Sequence, residues 1–339
     1  MPNEFNSPEG DLENYFITES WLVDQWIGDE LWAWGLNDYG YLGINNLINR
    51  STPVTTLAGG NNWKQVSCGN RHSAVIKTDG SLWLWGRNDF GQLGDNTAAA
   101  QRLTPITTFS GGNNWKQVSC GSNNTTAIKT DGTLWTWGYN GVGQLGDNTV
   151  INRSTPVTTL TGGNDWKQVS SSTSTNSHIA AIKTDGTLWI WGLNGQGQLG
   201  NNTSGSNIFT PVTTFSGGNN WKQVSVGTDH VTSSIKTDGT LWAWGRNVNF
   251  FLGIGSNTNN RLTPVTTFVG GNNWKQVSRA SAIKTDGTLW IWGTGGSVLG
   301  TNNSSDLFTP VTTFAGGNNW KQVDRGGNHV LAVKTGVDI

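Results

Sequence analysis

The sequence predicts an all-β fold built from one unit that recurs about every 50 residues. Two motifs carry this prediction, and each occurs six times. The second tryptophans of Leu-Trp-x-Trp-Gly are Trp34, Trp85, Trp137, Trp191, Trp244 and Trp292. The motif Trp-Lys-Gln-Val begins at Trp63, Trp115, Trp166, Trp221, Trp274 and Trp320. Successive copies lie 46 to 55 residues apart, which is the length of one propeller blade. We therefore predict a single β-propeller of six four-stranded blades.

Each repeat contains four predicted strands. The first is Trp-Lys-Gln-Val-Ser, and the second is a short apolar run such as residues 73–77. The sequence Thr-Asp-Gly at 78–80 predicts a hairpin turn, because Asp-Gly accepts the positive φ that such turns need. The third strand is Leu-Trp-x-Trp, as at 82–85, and residues 104–108 form the fourth. Its proline favours an edge position.

The paired tryptophans are expected to pack between blades. Side chains alternate along a strand, so both tryptophans of Leu-Trp-x-Trp share one face and the leucine takes the other. A strand that is apolar on both faces fits a position between two neighbouring sheets, and we assign these tryptophans no cofactor. The predicted inter-blade residues are Trp32, Trp34, Trp83, Trp85, Trp135, Trp137, Trp189, Trp191, Trp242, Trp244, Trp290 and Trp292.

Two strings in each repeat resemble a known family. Residues 138–146 read Gly-Tyr-Asn-Gly-Val-Gly-Gln-Leu-Gly, and residues 68–73 read Cys-Gly-Asn-Arg-His-Ser. They are similar to the repeats of the regulator-of-chromosome-condensation family, and the resemblance covers about residues 29–336. The resemblance implies a propeller, and the family includes an exchange factor, a photoreceptor and an inhibitor. The photoreceptor string Gly-Trp-Arg-His-Thr is absent here, so none of these activities is carried over.

The repeat array is circularly permuted. It begins with a third strand at residues 30–34 and ends with first and second strands at residues 320–334. We expect the two ends to share one blade and close the ring, which removes exposed sheet edges. Members of the family commonly have seven blades, and residues 12–28 could supply a degenerate seventh.

Several strings imitate catalytic or ligand-binding motifs. Residues 141–146 and 195–200 match GxGxxG, but the helix that a dinucleotide site needs does not follow. One aspartate of each Thr-Asp-Gly recurs with the blades, which favours a turn role over a ring of cation ligands. Cys68 and Cys120 occupy equivalent positions in adjacent repeats, too far apart to form a disulfide. We predict no catalytic residue, no cofactor, no metal and no enzyme activity.

The first 28 residues form a distinct segment, which we call the arm, and residues 29–339 form the propeller. Residues 1–49 contain nine acidic residues and no Lys or Arg. The arm also has an aromatic and apolar set that a solvated tail would not keep. Its predicted docking residues are Tyr15, Phe16, Trp21, Leu22 and Trp26. We expect the arm to dock onto a partner or a second copy; packing across its own ring is the alternative.

Three connections depart from the repeat. The interval from the tryptophan of Trp-Lys-Gln-Val to the next repeat lysine is longest before Lys183 and shortest before Lys284. Phe-Phe at 250–251 replaces the usual Gly-Gln. Such irregular loops are a common route to a binding surface, and drift in a tolerant loop is the alternative. The candidate binding residues are Ser172, Thr173, Asn176, Phe250, Phe251 and Arg279.

The sequence favours a binding or structural module. Its main functional hypothesis is a phage virion or microbial surface component, mounted by the arm and displaying a loop face to a protein, a glycan or a receptor. The alternative is a soluble regulatory scaffold that binds one protein. The scattered basic residues predict no nucleic-acid partner, and no apolar run predicts membrane insertion. No signal peptide is predicted, and either a virion or the cytoplasm suits the chain.

Overall fold

A computed structural model describes residues 30–57, 59, 62–98, 101–174, 177–294, 299–301, 305–325 and 330–335. These residues form 24 β-strands and no α-helix. None of them makes a helix that is long and apolar enough to cross a membrane. The predicted all-β repeat fold is confirmed. The arm residues Tyr15, Phe16, Trp21, Leu22 and Trp26 lie outside the described residues.

Five four-stranded antiparallel sheets form the body of the propeller, and the strands of each follow chain order. The first blade has β3 (Trp63–Cys68), β4 (His72–Lys77), β5 (Leu82–Gly86) and β6 (Arg102–Thr107). The second has β7 (Trp115–Cys120), β8 (Asn124–Lys129), β9 (Leu134–Gly138) and β10 (Arg153–Thr158). The third has β11 (Trp166–Ser171), β12 (His178–Lys183), β13 (Leu188–Gly192) and β14 (Ile208–Thr213). The fourth has β15 (Trp221–Val226), β16 (Val231–Lys236), β17 (Leu241–Gly245) and β18 (Arg261–Thr266). The fifth has β19 (Trp274–Ser278), β20 (Ser281–Lys284), β21 (Leu289–Gly293) and β22 (Leu307–Thr312).

Two further two-stranded sheets lie at the ends of the array. They are β1 (Trp32–Gly35) with β2 (Arg50–Thr55), and β23 (Trp320–Arg325) with β24 (Val330–Lys334). Among the described residues no strand pairing joins them, so the structure has seven separate sheets. The closing of the ring by pairing of the two ends therefore stays a prediction.

The blades pack through unlike faces. Leu82 and Leu84 of the first blade form one buried cluster with Trp115 and Trp137 of the second. The same leucine-against-tryptophan arrangement recurs at the following interfaces. A buried tryptophan removes about 150–250 Å² from water. At about 25 cal/mol per Å² this stabilises the fold by up to about 4–6 kcal/mol. The interfaces between blades are therefore the hydrophobic core of the molecule.

The two tryptophans of each Leu-Trp-x-Trp differ in exposure. In the five complete blades the second is buried and the first is half-buried. Within each blade the first ring and the Trp-Lys-Gln-Val ring flank a lysine, as Lys129 does between Trp115 (4.8 Å) and Trp135 (4.6 Å). Trp32 differs, because its side chain is 41% exposed. Among the described residues its sheet has two strands, β1 and β2, without the two that supply the covering lysine and tryptophan elsewhere.

Glutamine side chains join the first strands of successive blades. The amide of Gln117 donates to the backbone oxygen of Val169 (3.0 Å) and accepts from its N–H (3.0 Å). Equivalent bridges start at Gln65, Gln168, Gln223 and Gln276. The glutamine of every Trp-Lys-Gln-Val except the last thus hydrogen-bonds the next blade. Buried backbone groups need such partners, which gives this motif a second structural role beside its tryptophan.

Candidate protein-binding pocket

The strings that imitate functional motifs have structural roles. At Gly143 and Gly146 within the GxGxxG-like string, φ is +76° and +67°, and added Cβ atoms would meet Phe209 and Trp191 of the next blade. Asp185 accepts hydrogen bonds from the N–H (2.9 Å) and hydroxyl (2.7 Å) of Thr187 in its own turn. These bonds lower the pKa of Asp185. No group of three or more potential metal ligands occurs among the described residues.

Two histidines and one cysteine are also part of the packing. His72 and His178 are fully buried, and burial lowers the pKa of each to about 3. The Nε2 atom of each lies 2.8 Å from a threonine hydroxyl in a neighbouring blade. Neither Cys68 nor Cys120 is in a disulfide, and burial raises the pKa of Cys120. Burial and these hydrogen bonds give His72 and His178 a role in packing.

The irregular connections lie at one end of the blades. The loops between the first and second strands and those between the third and fourth share this end, because neighbouring strands are antiparallel. In the longest loop, buried Ser172 donates a hydrogen bond to the carbonyl of Gly227 (2.8 Å) in the next blade. Asn176 lies outside the described residues. The long loop is therefore anchored to the fourth blade at its start.

The shortest loop places Arg279 in a tight turn. Arg279 and Ala280 alone connect the paired residues Ser278 and Ser281, and φ of Arg279 is +51°. A non-glycine residue in this region costs about 1–3 kcal/mol of strain. The Arg279 side chain, 8% exposed, donates to Thr173 (3.1 Å) and Thr228 (3.4 Å). It thereby connects loops of the third, fourth and fifth blades.

The Phe-Phe replacement also gives a strained backbone and contacts to a neighbouring blade. Phe250 stands where other blades have a positive-φ glycine, and its own φ is +57°. Its ring packs at a tilt of 59° against Phe308 of the fifth blade, with 4.4 Å between centroids. Phe251 stands where three other blades have a glutamine, and its ring lies 5.3 Å from the guanidinium carbon of Arg325.

Backbone strain concentrates in this sector. Seven described non-glycine residues have positive φ. Four are asparagines at one repeated loop position, a residue type that tolerates this conformation. The other three are His230, Phe250 and Arg279; Phe250 and Arg279 lie in irregular loops, and His230 lies in the loop of the fourth blade that contains Asp229 of the pocket described below. Strain of this kind persists only where surrounding contacts hold it, and it clusters at binding and switch sites.

Arg325 is a functional candidate that the sequence analysis missed. It is 4% exposed and donates to the backbone oxygens of Ala280 (2.9 Å), Trp292 (2.6 Å) and Thr294 (3.3 Å). Burial and the nearby charge of Arg279 lower the pKa of Arg325 to about 10, and Asp229 acts in the opposite direction. The group remains a cation at neutral pH.

A comparison by repeat position could have found it. The residue that follows Trp-Lys-Gln-Val-Ser, or its counterpart, is Cys68, Cys120, Ser171, Val226, Arg279 and Arg325 in successive copies. Small or apolar residues occupy this position in four copies, and two adjacent copies carry arginine. Equivalent positions of adjacent blades are neighbours in a propeller, so two arginines here imply two guanidiniums close together.

These side chains enclose one pocket. Its lining is Gly227, Asp229, Val231, Phe251, Arg279, Ala280 and Arg325, and its cavity volume for a water-sized sphere is about 20 Å³. Two guanidiniums and one carboxylate line it, so its charge is +1 at neutral pH. Of the six candidate loop residues, Phe251 and Arg279 line the pocket, and Thr173 holds Arg279 from outside.

The chain is similar to propellers of several eukaryotes. The family model of the RCC1-like domain matches residues 19–332. The ultraviolet-B receptor UVR8 of Arabidopsis thaliana is 30% identical over 236 residues, which are 68% of this chain and 52% of the receptor. The probable E3 ubiquitin-protein ligase HERC4 of Homo sapiens is 32% identical over 189 residues, which are 54% of this chain and 17% of the ligase. The chain thus spans about half of the plant receptor and less than a fifth of the ligase.

Solved structures show the same fold. Human WBSCR16 aligns with a TM-score of 0.75 and 22% identity, over 89% of this chain and 80% of that one. Prp20p of Saccharomyces cerevisiae, whose structure was reported with its binding properties to Gsp1p and histones, aligns with a TM-score of 0.52 and 17% identity, over 91% and 92%. Together with the repeats and the sheets, the family match leads to one conclusion: this chain belongs to the family of RCC1-like domains.

Proposed function

We propose that this chain is a non-enzymatic regulatory scaffold that binds one protein partner through the face holding the Arg279–Arg325 pocket. The observation that carries the proposal is convergence. The long loop, the short loop and the Phe-Phe replacement are far apart in sequence, yet all three contribute to the pocket or to its support. Drift in tolerant loops would leave them independent of one another.

The relatives support this class of function. Prp20p was described with its binding to Gsp1p and histones, and a second structure shows yeast RCC1 (Prp20) bound to Kap60. These are protein partners on the same fold, although identities of 16–17% carry over the fold alone. HERC4 is named a ligase, but this chain matches only a small part of it.

The virion or surface hypothesis is not favoured. It rests on the abundance of Thr, Asn and Gly in the loops, and none of the relatives named above supports it. The same holds for a glycan or receptor ligand. Docking of a partner by the arm stays a separate proposal, because the arm lies outside the described residues.

A site-specific photo-crosslinker tests the proposed face. We would place it at Val248, which is 51% exposed in the Phe-Phe loop, and expose the full chain to extract of the cells that encode it. The matched control carries the crosslinker at Asp131, in an exposed turn at the other end of the blades. We expect one specific adduct from Val248, reduced by Phe251→Gln, and none from Asp131. Equal adducts at both positions, or none at Val248, would refute the proposal.

A further inference from the structure

We propose that the pocket binds a single carboxylate of a partner protein, an aspartate or glutamate side chain or a C-terminal carboxylate, between the guanidiniums of Arg279 and Arg325. This inference rests on the proposed function and names the chemical group that the face recognises. Neither the repeat fold nor the resemblance to other propellers requires arginine at these two positions.

The first argument is charge. Arg325 is buried, and the three groups it bonds are neutral backbone carbonyls. Among the described residues no ion pair to Arg325 occurs within 4.0 Å. Asp229 acts on Arg325 from the same pocket, but two guanidiniums and one carboxylate leave a net charge of +1 there. Burying uncompensated positive charge is unfavourable, and a carboxylate that enters the pocket would neutralise it.

The second argument is preorganisation. Three carbonyls and the ring of Phe251 hold the Arg325 guanidinium, and two threonine hydroxyls hold Arg279. A planar guanidinium presents paired N–H groups whose spacing matches the two oxygens of a carboxylate. Because both side chains are already fixed, a ligand would lose little affinity to ordering them.

The third argument selects a carboxylate over a phosphate. Asp229 lines the same pocket and leaves it with a charge of only +1. The remaining walls, from Val231, Phe251 and Ala280, are apolar. A ligand with one negative charge balances the net charge of the pocket. A phosphate dianion would carry more negative charge than the pocket balances and would be repelled by the Asp229 carboxylate. We therefore expect a carboxylate that is flanked in the partner by apolar or small groups.

Random-peptide display on the immobilised full-length chain tests the inference. Two libraries are used, one with a free C-terminal carboxylate and one with internal positions only. Selected peptides are then synthesised with each acid replaced by its amide, or with an amidated C-terminus, and their Kd values are measured by fluorescence anisotropy. A phosphoserine replacement of the same acid is measured alongside.

The matched variants restore a residue found in another blade. Arg279→Ser and Arg325→Ser each introduce the residue that Ser171 provides at the equivalent position. Arg71→Ser is the control, because Arg71 lies in the corresponding loop of the first blade. Arg325→Lys keeps the charge without the planar fork, and circular dichroism checks each fold. If Arg325→Ser does not fold, the peptide binding of Arg279→Ser still tests the inference.

We expect every selected peptide to depend on one acid, with at least about tenfold weaker binding after amide replacement, and similar losses in Arg279→Ser and Arg325→Ser. Arg71→Ser should bind as wild type. The two libraries distinguish a side-chain from a C-terminal carboxylate. Peptides without an essential acid, tighter binding of the phosphoserine form, or no selection at all would overturn the inference. Crosslinking at Val248 that persists in Arg279→Ser would overturn it while leaving the proposed function intact.

Discussion

Replacing Gln168 with methionine should lower the free energy of unfolding by about 2–6 kcal/mol. Gln168 is 1% exposed, and its amide makes two 3.0 Å hydrogen bonds to the N–H and the carbonyl of Val224 in the next blade. Methionine has a similar length but no amide. Both backbone groups of Val224 would stay buried without partners, and each such group costs about 1–3 kcal/mol.

Urea unfolding followed by tryptophan fluorescence measures this loss. The chain contains a matched control in Gln322, the last glutamine of the series, whose Nε2 atom is buried and has no hydrogen-bond partner among the described residues. Gln322→Met should not lower stability, and it should raise it by up to about 1–3 kcal/mol, because it removes a buried donor that has no partner. If Gln168→Met lowers stability by less than about 0.5 kcal/mol, the bridges do not join the blades energetically and the reasoning is wrong.

Three other expectations follow from the same packing. Gly143→Ala should destabilise by about 1–3 kcal/mol, because φ is +76° and a Cβ would lie 2.2 Å from an aromatic ring of the next blade, whereas Gly162→Ala, with φ +58° and open space, should cost less; thermal unfolding compares the two. Burial lowers the pKa of His178 to about 3, so between pH 6.5 and 3 the unfolded chain binds more protons than the folded chain. Stability should therefore decrease as the pH is lowered, by up to about 1.4 kcal/mol per pH unit for this group. Urea midpoints at pH 7.0, 5.5 and 4.5 should show a shallower slope in His178→Gln, and an unchanged slope would contradict the assignment. Lys236→Met should cost about 1–2 kcal/mol, since its Nζ lies 4.7 and 4.4 Å from two tryptophan rings, while Lys222→Met at an exposed position should be neutral in the same assay.

The periodic features could be predicted from residues alone. A strand of Leu-Trp-x-Trp, a turn of Thr-Asp-Gly and a strand of Trp-Lys-Gln-Val each have a local physical cause. The two strand motifs occur six times and the turn motif five times. The structure places all three as expected. The exception is Trp32, where the motif is intact but the covering strands are not paired to it. The motif identifies a tryptophan that is covered in a complete blade, and only the neighbouring strands determine whether its side chain is covered.

Arginine at the end of β23 illustrates the other kind of information. Its sequence context, Trp-Lys-Gln-Val-Asp-Arg, contains no catalytic or binding motif, and nothing in it indicates burial. The side chain becomes significant because the shortened loop of the fifth blade leaves room beside it, and because its three carbonyl partners come from that blade. The Arg325 contacts therefore depend on the length of the loop in the fifth blade and on the position of β23 beside that blade.

Repeat period, strand order, turn chemistry and membership of a propeller class are local properties, and local sequence was enough to obtain them. The pocket is not local. Thr173 and Arg279 are separated by 106 residues, and they meet because three blades bring their loop ends to one face. The charge, the backbone strain and the burial at that face depend on loops from different repeats. They are determined by the packed tertiary structure, because no single repeat contains all the groups that contribute to them.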